Sequence, residues 1–510
     1  MKNKNLIVLS LSLLLASCGP SVEVDESLRK GEVSLNVISC NDYHGVVDPD
    51  SDYYPGIEKW GAKIKSLIHN DIENTIVLSA GDMFQGSGVS SLTNGKIVVD
   101  AMNYLKFDAM AIGNHEFDWG VDVLKSAHDG VENNFVYEEN KEANPEAKFP
   151  YLSCNIYYNN GTDDEKDDTF CDFADKYKIV VRGGLRIGLV GYIGVEQLNS
   201  IVSTIGGQFS FHEPVEEIKK VVKELRDKEK CDLVIAIGHD GHDSSSSYNS
   251  INSSLASLTG SYKVDLILNA HTHASYVDDL GNNIYAIQSG QYGQKVGYTT
   301  IKYSFDKKSV VSVKCENIDI NAYDSLSDLR LSSIYTDHVS SVDQILNEQI
   351  GYIENQITSS ERKYIGEWTA GCITHMTDSD FGAVNYGGIR ASGFPLYPGK
   401  FTYNDLIGIM PFDNCIVTCV MQGKDVNKLK NNSALCFDFK LANSYSIDYG
   451  NKYKMAFDEY SFGKYIEPRY YDIEDIVYTS YLVRDAMKKE IKHQYFDLDI
   501  NFDYSLPATF

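Results

Sequence analysis

Gly113-Asn114-His115-Glu116-Phe117-Asp118 follows the apolar stretch 107–112. An apolar run that breaks at a glycine predicts a strand turning into a loop, and glycine lets the backbone turn tightly or pass close to a ligand. Directly after that glycine come an amide oxygen, an imidazole and two carboxylates. An Asn oxygen can ligate a cation, and an Asp near a His orients the imidazole. Four other apolar runs end in the same way. Residues 34–39 lead into Asn41-Asp42-Tyr43-His44-Gly45, and 74–79 into Gly81-Asp82-Met83-Phe84-Gln85-Gly86. Residues 231–237 lead into Gly238-His239-Asp240, and 264–269 into Ala270-His271-Thr272-His273.

Together with 186–193 and 284–289, these runs are rich in Val, Ile and Leu and lack strict alternation. That is the pattern of strands covered on both faces. Helices are predicted at 58–70 and 214–229, so the fold class is α/β, with a sheet or sheet pair between helices. Ligand sites in such folds lie outside the carboxyl ends of the strands, and the five loops converge if their strands are neighbours. In extended chain, residues i and i+2 point to one side, so Asp42 with His44 and His271 with His273 can each serve one centre. Carboxylate, imidazole and amide oxygen together suit Zn²⁺, Mn²⁺ or a similar divalent ion.

The seven donors Asp42, His44, Asp82, Asn114, His239, His271 and His273 exceed what one ion needs. Two ions sharing a bridging carboxylate fit better, and Asp82 is the natural bridge. Two such ions about 3.5–4 Å apart activate a water and clamp a phosphoryl oxygen in an in-line displacement. A lone histidine after a strand is more often a hydrogen-bonded loop residue than a ligand. Here five of the chain's 12 histidines fall at these strand ends. His242 is the nearest rival to His239; the other histidines read as structural or surface residues.

At 510 residues the chain is too long for one ordinary domain, and two large ones are expected. Its 43% apolar content suits a globular protein with a full core. A net charge of -26 excludes a general nucleic-acid-binding surface, so no nucleic-acid polymer is expected as partner. An anionic substrate would need metal ions or a local arginine to overcome that field. Residues 1–17 read as an export signal: Lys2 and Lys4, then an apolar run too short to span a bilayer. The run ends Leu15-Ala16-Ser17-Cys18, which resembles a bacterial lipoprotein box and implies lipidation of Cys18. The membrane is then met only through that N-terminal anchor, at the cell envelope.

Removing Cys18 leaves nine cysteines, so at least one thiol is free if pairing is intramolecular. Cys415 and Cys419 share a predicted strand, where four residues span about 13 Å, too far for a disulfide. The cysteines read as core residues. Residues 18–30 read as lipidated cysteine and polar tether, 137–170 as a polar surface loop with an acidic run at 163–168, and 244–254 as a serine-rich loop. Residues 329–357 read as a long connecting helix between a first domain at 31–328 and a second at 358–510.

The five loop motifs together are similar to the 5′-nucleotidase branch of the calcineurin-like metallophosphoesterases. All five occur in order over about 240 residues. The resemblance implies a four-layer α/β/β/α sandwich with a smaller α+β C-terminal substrate domain. It implies one metal held by Asp42, His44, Asp82 and His273, and another by Asp82, Asn114, His239 and His271. His115 would act on the transferring phosphate, oriented by Asp118, which lies three residues on and favours the charged imidazole.

The second domain carries Asn385-Tyr386-Gly387-Gly388-Ile389-Arg390, then Gly399-Lys400-Phe401-Thr402 and Pro411-Phe412-Asp413-Asn414. This order resembles the family's substrate domain. There Asn385 and Arg390 would contact the nucleotide, and Phe412 and Tyr460 would sandwich the base, since every nucleobase offers a π face. Two departures stand out. Ser461-Phe462-Gly463-Lys464 replaces the family's Gly-Gly-Asp turn, and the expected upstream arginine is absent, with Arg362 close but shifted. The implied function is an exported two-metal hydrolase of nucleotides, with nucleoside 5′-monophosphates as the leading substrates. The alternatives are a 2′,3′-cyclic-nucleotide phosphodiesterase, a nucleotide-sugar pyrophosphohydrolase, and a nucleotide-binding surface lipoprotein without turnover. A domain rotation with a hinge near 340–365 is also implied.

Overall fold

In the strands Glu32–Cys40 and Thr75–Ser79, alternate side chains leave on opposite faces. Leu35, Val37, Ile76 and Leu78 turn one way and meet Ile187, Leu189, Ile235 and Leu266 of a second sheet. Ile38, Cys40 and Val77 turn the other way, onto Trp60, Ile64 and Met102 of flanking helices. The second sheet repeats the device: Val190, Val234, Ala236 and Ile267 face Ile218, Val222 and Leu225 of helix Pro214–Asp227. The result is helix, sheet, sheet, helix, in a computed structural model that describes residues 24–49, 53–129, 147–161, 169–242, 249–443, 445–470 and 472–510. The export signal, Cys18 and the acidic run at 163–168 lie outside the described residues.

The first sheet has the order Ser309–Asp319, Lys295–Ser304, Glu32–Cys40, Thr75–Ser79, Ala109–Ala111, Tyr151–Leu152. Its last four strands are parallel, and the other two form an antiparallel hairpin at the edge. The second sheet runs Ser275–Asp279, Tyr285–Ser289, Leu266–Leu268, Leu233–His239, Leu185–Ile193, Tyr177–Arg182, with the middle four parallel. Parallel pairing sends the carboxyl ends of all five motif-bearing strands to one edge.

A second, separate α+β domain is built on a sheet with the order Leu435–Phe437, Phe381–Asn385, Lys452–Asp458, Cys415–Gln422, Glu474–Leu482. Helix Arg362–Met376 covers one face, and Val426, Leu429, Phe462 and Ile466 help fill the other. The nine cysteines among the described residues are free thiols, and seven are buried.

Four expectations need correction. The connecting helix stops at Leu346, not near 357. Residues Gln349–Ile353 alternate as a strand and pair antiparallel with Gly399–Thr402, so this stretch belongs with the second domain. The helix itself packs on helices of the first domain, with Leu331 against Gly61. At its far end, a Cβ on Gly88 would sit 2.7 Å from Leu346 Cδ2 and collide with the Asn404 amide of the second domain. The stretch 137–170 is not wholly a surface loop: Phe149, Tyr151, Leu152, Cys154 and Ile156 are buried. Its polar average hid a short apolar core run. The described end of the serine-rich stretch 244–254 is not loop: helix Ser250–Ala256 starts within it, capped by the Asn249 side chain on the Asn252 N–H. Residues 24–30 are docked rather than free, because Arg29 donates two hydrogen bonds of 2.8 Å to the Asp232 carboxylate.

Candidate metal centre

Each motif leaves its strand and turns at once. Asp42, His44, Asp82, His271 and His273 all adopt left-handed backbone, with φ of 48°, 52°, 55°, 72° and 59°. That conformation costs an L-residue about 1 kcal/mol or more, and such strain gathers at functional sites. Interlocked hydrogen bonds hold it in place. Asp42 N–H donates to Gly81 O at 3.0 Å and His44 N–H to Asp82 O at 3.1 Å. His271 N–H donates to the Asp42 carboxylate at 3.0 Å.

The turns bring the seven side chains together as two groups. Donor atoms of Asp42, His44 and His273 lie within 4.8 Å of one another, as do those of Asp82, His239 and His271. Asn114 Oδ1 joins the second group, 3.1 Å from His239 Nε2 and 3.0 Å from His271 Nδ1. Asp82 Oδ2 is 3.1 Å from His239 Nε2. Gly113 is required beside them: a Cβ there would lie 2.8 Å from His239 Cε1 and strike the Asp82 carboxylate. His242, the rival, bonds instead to Asp278 at 2.8 Å.

The donor chemistry fits cations. His239 Nδ1 donates to Ala80 O at 2.8 Å, which fixes the tautomer and turns Nε2 toward two oxygen acceptors, Asn114 Oδ1 and Asp82 Oδ2. Only positive charge reconciles those three groups. Burial works against an imidazolium at His239, yet the Asp82 carboxylate outweighs it and holds the pKa up to about 10. In the other group, His44 Nδ1 faces Gln85 O, and its Nε2 meets His273 Nε2 at 3.0 Å, nitrogen to nitrogen. Burial first, then neighbouring positive charge, lowers His271 and His273 to about 3, leaving neutral imidazoles with lone pairs to give. Burial raises Asp42 to about 7, the mark of a carboxylate short of compensating charge. Oxygen and nitrogen donors in this mixture suit a pair of divalent ions.

His115 stands beside the cluster. Its N–H donates to Asp82 Oδ1 at 2.8 Å, and its Nδ1 meets Asp118 Oδ2 at 2.8 Å. Burial lowers its pKa, but the carboxylates of Asp118 and Asp82 more than reverse this and favour the charged ring. Glu116, which sequence reasoning passed over, is buried and accepts the N–H groups of Gly113, Asp82 and Met83 at 2.7, 2.9 and 2.9 Å. It staples two ligand loops together. Its place inside the motif, between His115 and a buried phenylalanine, was the available signal.

The second domain closes over this edge. A cavity of about 350 Å³ is lined by Asp82, His115 and His273 on one side and by Asn385, Arg390, Phe412 and Tyr460 on the other. Phe412 stacks on His115. The Arg390 guanidinium lies 5.7 Å from the Phe412 ring centroid, and its Nη2 is buried without a partner. Arg362 does not line the cavity; its Nε donates to Ile389 O at 2.7 Å and its guanidinium lies over Tyr386, bracing the Asn385–Arg390 turn. Ser200, Asn414 and Lys464 also line the cavity and were not foreseen. Buried Arg484 clamps the Phe412 loop by donating to Met410 O at 3.2 Å, Tyr403 Oη at 3.2 Å and the Asp413 carboxylate.

Comparison with known proteins agrees with this layout. Residues 35–275 match the calcineurin-like phosphoesterase family, and residues 347–508 match the 5′-nucleotidase C-terminal domain. A 5′-nucleotidase of Vibrio cholerae is 25% identical over 475 residues, covering 82% of this chain and 79% of its own. An apyrase of Tabanus yao is 26% identical over 476 residues, covering 81% and 76%. The crystal structure of a 5′-nucleotidase precursor from Thermus thermophilus superposes with a TM-score of 0.71 at 18% identity, over 92% of this chain and 97% of that one.

Proposed function

This chain belongs to the calcineurin-like phosphoesterases that carry a 5′-nucleotidase C-terminal domain, and from that premise we propose that it releases phosphate from nucleoside 5′-monophosphates at the cell envelope. It is a metal-dependent phosphoester hydrolase of the nucleotide-cleaving type. In our reading, Asp42, His44, Asp82 and His273 hold one divalent ion, and Asp82, Asn114, His239 and His271 the other. Bound there, such a pair supplies Lewis-acid polarisation of a phosphoryl oxygen and a more acidic water.

The chain's own residues supply the rest. His115, kept charged by Asp118, holds a phosphoryl oxygen and offers it a proton as negative charge builds. Arg390 brings guanidinium donors to the phosphate or to the ribose edge. Phe412 and Tyr460 stack the base, and Asn385 hydrogen-bonds the nucleoside. The observation that carries the reading is the shared cavity: four of the seven metal-type donors, Asp82, Asn114, His271 and His273, line one space with His115 and with an arginine and two aromatics of a second domain. A pure binding module has no use for His115 with Asp118. Export and lipidation at Cys18 rest on the sequence; among the described residues no helix is long and apolar enough to cross a membrane.

Phosphate release from a panel of nucleoside 5′-monophosphates, 2′,3′-cyclic nucleotides and nucleotide sugars tests this, with and without chelator. The monophosphates should be the fastest, and chelator should abolish the activity. Turnover of the cyclic or sugar nucleotides alone would overturn the substrate, and no turnover with metal restored would overturn the reaction.

A further inference from the structure

Behind Tyr460 the cleft continues. A second cavity of about 770 Å³ shares Ser200, His271, Tyr460 and Lys464 with the first, and runs on to Arg469. His271 belongs to the donor cluster, so both compartments open on the same centre. The partition between them is the pair Tyr460 and Lys464. Lys464 lies on the helical turn Phe462–Ile466. Its Nζ donates to the Tyr460 hydroxyl and sits 4.9 Å from the centre of that ring.

The charge balance there is unusual for this chain. Carboxyl groups outnumber basic ones, 72 to 46, over the sequence. Yet among the described residues Lys464 has no carboxylate partner, and the Tyr460 hydroxyl is its hydrogen-bond acceptor. An ammonium has three donors, so two remain. The one acidic residue lining the second cavity, Glu196, makes no ion pair with it. Arg390, across the first cavity, keeps its own unpartnered Nη2. Arg390 and the donor cluster suffice for one phosphoryl group. Lys464 is a second, separate anion-reading group, set where the base-stacking ring ends and the larger compartment begins.

We propose that Lys464 is a specificity-determining residue that reads a second phosphoryl group, so that nucleotides carrying a further phosphoryl group beyond Tyr460 bind more tightly than the 5′-monophosphates, with hydrolysis still at the donor cluster. This rests on the nucleotide reading of the first cavity. The second group can come from either of two sources: an ester on the ribose or the next link of an anhydride chain. Both present negatively charged non-bridging phosphoryl oxygens to the ammonium, and Arg469 lines the same cavity farther along.

The test compares adenosine 5′-monophosphate, adenosine 5′-diphosphate and adenosine 3′,5′-bisphosphate on the metal-loaded enzyme. KM for one of the two-phosphate nucleotides should be about tenfold below that for the monophosphate, the scale of one charge-assisted hydrogen bond. Which nucleotide shows the margin identifies the source. Lys464→Met should erase the margin through KM rather than kcat, and Lys464→Arg should restore it. Calorimetric binding to metal-loaded His115→Ala protein should give the same order without turnover. Equal KM for all three nucleotides, or a margin that survives Lys464→Met, overturns the proposal alone. If none of the three nucleotides binds, the nucleotide reading itself fails and takes this proposal with it.

Discussion

Phe412 of the second domain stacks on His115 of the first, with ring centroids 5.7 Å apart and planes inclined by 29°. The residue read as a base platform and the residue read as the proton donor therefore touch across the domain boundary. Phe412→Ala should raise KM for a nucleotide by about 5- to 150-fold, since one base–aromatic stack is worth about 1–3 kcal/mol. An aryl phosphate lacking a nucleobase should be far less affected. Steady-state kinetics on both substrates checks this, and equal losses would count against a stacking role.

His115→Ala should keep both metals and lose about 10²- to 10⁴-fold in kcat, the usual weight of a positioned general acid. Metal content by mass spectrometry, measured beside kcat, separates this from simple collapse of the site. Unchanged turnover would remove His115 from the chemistry.

Asp82 is buried and is read as the carboxylate shared by both ions. Asp82→Ala should lower metal content below one ion per chain. Chelation of the wild-type protein should lower its melting temperature, because ions that bind only the folded state stabilise it by mass action, by about 4 kcal/mol at thousandfold excess over Kd. A variant with two ions per chain would refute the bridge.

Gly113→Ala adds one methyl group beside the Asp82 carboxylate and 2.8 Å from His239 Cε1. Relieving that clash must move a ligand. We expect lost metal affinity with the fold retained, read as normal circular dichroism with reduced metal content. Full affinity would mean the loop can give way without cost.

The Thr204 hydroxyl donates to the buried Glu459, and a Cβ on Gly463 would lie 3.0 Å from Ser203 Cβ. These contacts join a first-domain segment to the turn bearing Tyr460. If the domains rotate about the segment after the helix that ends at Leu346, Thr204→Val should favour the open form. Solution scattering should then show a larger radius of gyration that nucleotide analogue reverses. Identical scattering with and without analogue would speak against the motion.

The centre was legible because its signals are local. Asp42-Tyr43-His44 and His271-Thr272-His273 carry their chemistry within three residues, at the ends of strongly apolar strands. Parallel pairing of neighbouring strands then gathers them without further information. The outer layers were less legible. Lys295–Ser304 and Ser309–Asp319 form a hairpin whose strands mix apolar and polar residues, and no long apolar run announces them. The connecting helix was read too long because Gln349-Ile350-Gly351-Tyr352-Ile353 becomes a strand only through its partner Gly399–Thr402, some 50 residues on. The meeting of Phe412 with His115, and of Lys464 with the second cavity, depends on how two domains sit together. That is a tertiary property with no short-range signature.

Gly88 lies where the first domain, the end of the Leu329–Leu346 helix and Asn404 of the second domain all crowd one backbone atom. If the two domains swing, a contact that tight would act as a fulcrum: the jaws could shut only because nothing protrudes at the pivot. The width of the mouth would thus be set by a residue outside the cavity lining. Adding a side chain of a few carbons there would then prop the domains apart without replacing a metal-type donor or an aromatic of the cavity.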